Sequence, residues 1–162
     1  MKNKTIKYLI LIVFFLFNVE IKANEQFNFD VTEIEIKENG NVIKGLKRGK
    51  ITSSDGLTIE SDNFEYNKAL NIFFGFGNVI ARDNQGLKIN SNYFEYDKNL
   101  NLIVAKDKVL IEDDVKDIKI LSDKTTFNRH KQIFFSQGKT KAYALEKYDF
   151  TSKNVTYDKK KI

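Results

Sequence analysis

The chain of 162 residues carries 27 Lys plus Arg against 22 Asp plus Glu, a formal charge of 27 − 22 = +5, with no Cys, no Pro, no Trp and one His. Without thiols, and with His130 as the sole imidazole, zinc fingers, CxxC redox pairs, iron–sulfur centres, Cys nucleophiles and two-His metal sites are excluded, and 41% hydrophobic residues exclude a disordered chain. Only Arg48, Arg82 and Arg129 offer the guanidinium suited to bidentate base contacts, so no nucleic-acid partner is expected, and the length suits one folded domain.

At the N-terminus Lys2, Lys4 and Lys7 precede an unbroken apolar run from Tyr8 to Phe17, followed by Asn18, Glu20 and the step Ile21-Lys22-Ala23. This is the layout of a secretory signal peptide, with residues 1–23 as the leader, cleavage after Ala23 and a mature domain over 24–162. A retained membrane anchor is the alternative. Against it stand a run well short of the ~18 residues that span a bilayer and an immediate polar flank. Loss of the leader removes four Lys and one Glu, leaving 23 − 21 = +2. An exported domain without cysteines must be held by packing and backbone pairing.

From residue 24 onward the chain repeats. Gly56-Leu57-Thr58-Ile59-Glu60-Ser61-Asp62-Asn63-Phe64-Glu65-Tyr66 lies 30 residues before Gly86-Leu87-Lys88-Ile89-Asn90-Ser91-Asn92-Tyr93-Phe94-Glu95-Tyr96. A third copy runs through Ile120, Ser122 and Phe127, and a fourth through Phe150, Ser152 and Tyr157. Phe29, Val31, Ile34 and Ile36 stand 30 before Ile59, Ser61, Phe64 and Tyr66, so the chain reads as five copies of one unit, the last incomplete. Alternating β-branched and aromatic residues predict strands, and the Asn, Asp and Gly at 67–71, 83–86 and 97–101 predict tight turns between them. Two strands per copy give about nine or ten in all.

The alternation slips by one at Asp62-Asn63, again between Ser91 and Phe94, and irregularly between Ser122 and Phe127. A bulge or corner at each slip keeps apolar side chains facing the same interior while the strand bends. Gly75 and Gly77 are kink candidates between the even run Leu70, Ile72, Phe74, Phe76 and the odd pair Val79, Ala81. The expected fold is all-β, an elongated antiparallel roll with a folded-over sheet. Ile59, Phe64, Ile72, Phe74, Ile89, Phe94, Leu102, Ile120 and Phe127 are expected to line one apolar trough through successive copies.

The recurring pattern, best seen in Ile59-Glu60-Ser61-Asp62-Asn63-Phe64-Glu65-Tyr66-Asn67 followed by Gly77-Asn78-Val79, resembles the OstA-like (organic-solvent-tolerance-like) N-terminal domain family of lipopolysaccharide transport proteins. Ile89 to Asp97 repeats it with Asn92 at the Asp step, and the third copy has Thr126-Phe127-Asn128 instead of Phe-x-Tyr. The resemblance covers about residues 26–162. It implies a periplasmic β-jellyroll, possible attachment to the outer membrane, and end-to-end strand addition to related jellyroll domains. It also implies that the nine trough residues cradle lipopolysaccharide acyl chains. Sheltering each methylene from water contributes ~0.8 kcal/mol. The same residues equally serve a roll that merely folds.

No catalytic arrangement or cofactor site is expected. Ser53-Ser54-Asp55-Gly56 reads as a turn, His130 lies in the polar turn 128–131, and Glu112-Asp113-Asp114 lacks calcium-loop spacing and reads as a solvated turn. Two alternatives from other classes remain. One is a structural β-solenoid with a filled core; the other is a small outer-membrane barrel, against which the phase slips stand. The break in mid-unit at Ile162 favours the front part of a longer protein with a C-terminal outer-membrane barrel, and an outer-membrane assembly partner where that barrel follows, over a free-standing bridge component.

Overall fold

The computed structural model describes residues 27–145 and 147–161; the expected leader and its cleavage point lie outside the described residues. Six short strands come first: β1 (Phe27–Asp30), β2 (Ile34–Lys37), β3 (Val42–Gly45), β4 (Gly49–Ser53), β5 (Thr58–Ser61) and β6 (Asn63–Asn67). Six long ones follow: β7 (Ile72–Arg82), β8 (Leu87–Asp97), β9 (Leu102–Asp113), β10 (Ile118–Asn128), β11 (Ile133–Ala144) and β12 (Tyr148–Asp158). All belong to one antiparallel sheet, and one 3-10 turn at Glu38–Gly40 is the helical element among the described residues.

The short strands are halves of bent long ones. Because β3 pairs with β6 while β4 pairs with β5, and β2 with β3 while β1 pairs with β4, the chain is a meander of nine bent strands, each pairing only with its sequence neighbours. Bending folds the sheet onto itself. Layer one carries residues 34–37, 42–45, 63–67, 72–76, 93–97, 102–106, 124–128, 133–137 and 154–158. Layer two carries 27–30, 49–53, 58–61, 79–82, 87–91, 109–113, 118–122, 140–144 and 148–152. The sheet does not close: β1 and β12 stand at its two ends. An outer-membrane barrel, which has no ends, is thereby ruled out for these residues.

The corner is built the same way in successive copies. Register shifts place Gly77-Asn78 of β7, Asp107-Lys108 of β9 and Gly138-Lys139 of β11 as extra residues opposite the corners of their neighbours. Gly77 (φ 70°), Asn78 (φ 43°), Asp107 (φ 63°), Lys108 (φ 57°) and Gly138 (φ 86°) adopt left-handed backbone there, the signature of a bulge that turns a strand. Asp62 hooks the bulge opposite it: its amide donates to the Gly77 carbonyl at 3.0 Å, and its carboxylate accepts from Asn78 Nδ2 at 2.7 Å and from Arg48 at 2.9 Å. Inside the corner sit the buried serines Ser61, Ser91 and Ser122, small enough for the concave side of the bend. The slips expected at 62, 91–94 and 122–127 all fall on this seam.

Turns follow an equally regular chemistry. Asn67, Asp97 and Asn128 each accept a backbone N–H three residues on, at 2.8 to 3.0 Å, and Asn71, Asn101 and Gln132 take positive φ. Successive turns also stack, Lys98 N–H on the Asn71 carbonyl, Arg129 on Asn101 and Lys159 on Gln132.

The interior is packed with rings. Phe127 stacks on Phe134 with centroids 3.8 Å apart, and Tyr157 continues the stack at 5.6 Å. Phe27 of layer two meets Tyr66, Phe73 and Tyr96 of layer one, while Phe29 stacks on Phe64. Phe64 occupies the space a side chain at Gly45 would need, since a Cβ there would overlap the ring.

A Cβ at Gly77 would lie 2.7 Å from the Asp62 carboxylate, on a backbone at φ 70°. Gly77→Ala is therefore expected to destabilise the fold by about 1–2 kcal/mol. Ser61→Ala, which removes a buried hydroxyl with no hydrogen-bond partner, should stay within about 0.5 kcal/mol of wild type. Urea unfolding of the two variants beside wild type checks both.

Candidate functional site

Register decides which residues face inward, because directly opposed residues share a face. Ile59, Phe64, Ile89, Phe94, Ile120 and Phe127 are all interior, none more than 2% exposed. Ile72, Phe74 and Leu102 are not. Phe73 stands opposite Tyr66 and Tyr96, and Gly75 opposite Phe64 and Phe94, so the odd residues of β7 point inward and Ile72 and Phe74 lie on the outer face. Likewise Ile103, opposite Tyr96 and Phe127, is buried while Leu102 is turned outward. The trough expected from the sequence is corrected at these three positions. The physical reason is local: Ile72-Phe73-Phe74 and Leu102-Ile103-Val104 are apolar on both faces, so alternation carries no phase there, and only pairing supplies it.

The two layers do not meet squarely. Asp55, in the turn after β4, reaches Tyr96, whose hydroxyl donates to Oδ2 at 2.5 Å, and Arg129, which donates to the same oxygen at 2.5 Å; the Ser53 hydroxyl donates to Oδ1 at 2.6 Å. Asp113, at the end of β9, accepts from the Tyr157 hydroxyl at 3.0 Å and pairs with Lys159 at 3.0 Å. In each clamp a carboxylate on layer two holds a tyrosine 41 or 44 residues further along on layer one. The roll is thus staggered by more than one repeat. Asp83 stands at the corresponding step between them, but its partner position holds Phe127, and its carboxylate instead caps its own turn through the amides of Gln85 and Leu87 at 2.8 and 2.9 Å.

These clamps were not foreseen from the sequence. The acidic trio read as a solvated turn is a correction: Asp113 is 1% exposed, Glu112 pairs with Lys88 and Lys119 on the outer face, and Asp114 alone is exposed. A signal was present, since a buried tyrosine needs a hydrogen-bond partner, and inward tyrosines recur at 66, 96 and 157. Burial alone would raise the Asp55 carboxyl, but hydrogen bonds from Ser53 and Tyr96 and the Arg129 charge outweigh it and hold it at about 2. Burial, then the bond to Asp55, pushes the Tyr96 phenol well above its usual value, and Tyr157 follows through burial and Asp113.

Stagger leaves each end with an overhang. At the β12 end the inward row Ile118, Ala144, Tyr148 and the row Ile120, Ala142, Phe150 run out of facing layer, and Tyr148 and Phe150 are 48% and 53% exposed. At the opposite end the inward residues of β2, Ile34 and Ile36, are 47% and 61% exposed. Among the described residues, the outer edges of β1, β2 and β12 pair with no other strand. An apolar inner face and an open backbone edge therefore coincide at both ends, with opposite layers overhanging.

Residues 20–161 match the model of a family described as OstA-like protein. No curated protein matches. Among solved structures, the chain is similar to LptH from Pseudomonas aeruginosa, described as the LptA-homologous periplasmic component of the conserved lipopolysaccharide transport device. The two share a TM-score of 0.62 and 11% identity, over 68% of this chain and 81% of that one.

The Asp55 clamp makes the fold sensitive to acid in a defined window. A carboxyl depressed by folding stabilises above its unfolded value of 3.8, and that contribution is lost as pH falls through about 2. Asp55→Asn should unfold at lower urea than wild type at neutral pH, with the gap closing as pH drops through that window. Tyr96→Phe, which leaves Asp55 with Arg129 and Ser53, should cost about 1–2 kcal/mol at neutral pH. Urea midpoints measured from neutral pH down through the window read out both.

Proposed function

The chain belongs to the OstA-like family, and from that premise we propose that it is a periplasmic jellyroll that carries lipopolysaccharide and joins end to end with related jellyroll domains. The single observation supporting this reading most directly is the staggered pair of ends. Tyr148 and Phe150 of one roll and Ile34 and Ile36 of the next belong to opposite layers, so head-to-tail addition of β12 to a β1–β2 edge covers both apolar overhangs and satisfies both open backbone edges. The proposal is common to an LptA-like free-standing bridge protein and to an LptD-like N-terminal domain preceding an outer-membrane barrel.

Lipid is expected to enter where the interior is uncovered. Acyl chains rejected by water find inward aromatic faces at Tyr148 and Phe150 without displacing the stacked rings at the centre. The centre itself favours a second reading, a structural roll without lipid ligand, because Phe64, Phe94 and Phe127 are fully enclosed by the protein's own side chains.

Photo-crosslinkable residues at Tyr148 and Phe150 should capture lipopolysaccharide in cells exporting it, while the same probe at Asp149 and Thr151, one step round the strand, should not. Adducts at Phe64, Phe94 and Phe127 but not at Glu65, Glu95 and Asn128 would extend the path through the whole roll. Absence of adducts at all inward positions, or equal labelling of inward and outward ones, would leave the structural roll standing.

A further inference from the structure

The outer side of the corner seam changes character along the roll. At its first strands the charges are matched, since Arg48 donates to Asp62 at 2.9 Å and Arg82 donates to Glu60 at 3.1 Å. From β9 to β12 they are not. Lys106, Lys108, Lys124, Lys139, Lys141 and Lys153 lie on or beside the seam there, with Asp107 and Asp123 as its acids, giving 6 − 2 = +4. The chain from residue 24 onward carries +2 in total, so everything outside this strip sums to 2 − 4 = −2. The positive excess of the exported domain is gathered on one ridge.

This concentration does not serve the fold. Lys106 and Lys124 stand directly opposite each other on adjacent strands, a like-charge pairing that weakens a sheet. Lys106 rests over the Tyr93 ring at 4.5 Å, and the ammoniums of Lys108, Lys124, Lys139, Lys141 and Lys153 make no ion pair or hydrogen bond among the described residues. Asp123 is engaged by the Lys139 backbone amide at 3.2 Å. Apolar side chains emerge between these lysines. Leu110 and Leu121 oppose each other on the outer face, Leu121 is 41% exposed, and both line a hollow of about 320 Å3 with Lys108, Lys139 and Lys141. Further along the seam Phe76, 40% exposed, meets Tyr93 edge-on at 5.8 Å.

We propose that this ridge docks the roll lengthwise on a bilayer surface that carries anionic glycerophospholipid. The ridge is the convex side of a bend and crosses four neighbouring strands, so a flat sheet of negative charge meets several lysines at once. Their flexible stems bring ammoniums to phosphates of different lipids while Leu121 and Phe76 enter the headgroup layer, the combination that holds proteins at membrane interfaces. A second copy offers no such partner at its matched corner, because Asp62 and Glu60 already pair with Arg48 and Arg82. The docking is independent of what the interior carries.

Co-sedimentation of the intact mature chain with vesicles tests the ridge. The chain should bind an equal mixture of phosphatidylcholine and phosphatidylglycerol but not phosphatidylcholine alone, and binding should fall steeply as added salt screens the charges. Each lysine near an anionic surface contributes about fivefold in binding, so Lys139→Gln combined with Lys141→Gln and Lys153→Gln should weaken it at least about tenfold. Lys50→Gln combined with Lys68→Gln and Lys131→Gln makes the same change in net charge on exposed lysines elsewhere, and should weaken binding no more than about threefold. Both triple variants should keep the wild-type urea midpoint. Because the chain has no Trp, Leu121→Trp supplies a lone fluorophore whose emission should shift to the blue on the mixed vesicles, whereas Leu70→Trp, in an exposed turn, should not shift. Equal losses in the two triple variants, or equal shifts at the two tryptophans, overturn the proposal. So does loss of vesicle binding in Tyr148→Ser combined with Phe150→Ser while the ridge variant still binds, which would assign the membrane contact to the uncovered end. Ridge-dependent binding of polyglutamate without binding of vesicles would transfer the surface to an acidic protein and overturn the membrane assignment, leaving the transport reading untouched.

Discussion

Every strand in this roll has to turn a corner near its middle without changing which face looks inward. Ideal pleating cannot do this, because a strand that simply bends carries its alternation with it and turns an apolar row to water. The solution is a bulge on every second strand, with left-handed backbone at Gly77-Asn78, Asp107-Lys108 and Gly138, faced by a single corner residue on each neighbour. Asp62 and Asp123 brace two of these bulges, Asp123 by accepting the Lys139 amide at 3.2 Å. Once the corner is set, both half-strands present the same side to the interior, and a meander that pairs only neighbours acquires two layers and a core.

Stagger between those layers then distributes chemistry over the surface. In the middle of the roll each layer covers the other, and Asp55 and Asp113 draw Tyr96 and Tyr157 across the gap. Hydrogen bonds of this kind are worth making because the phenols are buried and have no water to turn to. At the two ends coverage fails by one layer in opposite senses, and apolar rows emerge beside open strand edges. Along the turn side, polar caps and lysines meet. The apolar overhangs at the ends and the tyrosine clamps in the middle are therefore consequences of one displacement.

Much of this was legible in the residues. Periodicity at 30 predicted the meander, and the nine bent strands fall within the expected nine or ten because each copy contributes two. The slips at Asp62-Asn63 and between Ser91 and Phe94 located the corner correctly, since polar and apolar residues alternate cleanly on either side of them. Where the alternation was blurred, it misled: Ile72, Phe74 and Leu102 stand in runs that are apolar on both faces, and the outward placement of all three came from pairing with neighbouring strands.

The sequence by itself determined the secondary structure, the repeat, the corner and the family, because each depends on contacts between residues close in the chain or at one constant spacing. The tertiary structure alone decided the stagger, and with it the clamps from Asp55 and Asp113 and the uncovered Tyr148 and Phe150. The clamps bring together residues 41 to 74 positions apart, at separations set by how far one layer slides over the other. That slide is fixed by the packing of Phe27, Phe64, Tyr96 and their neighbours between the layers, a collective property that no local pattern encodes.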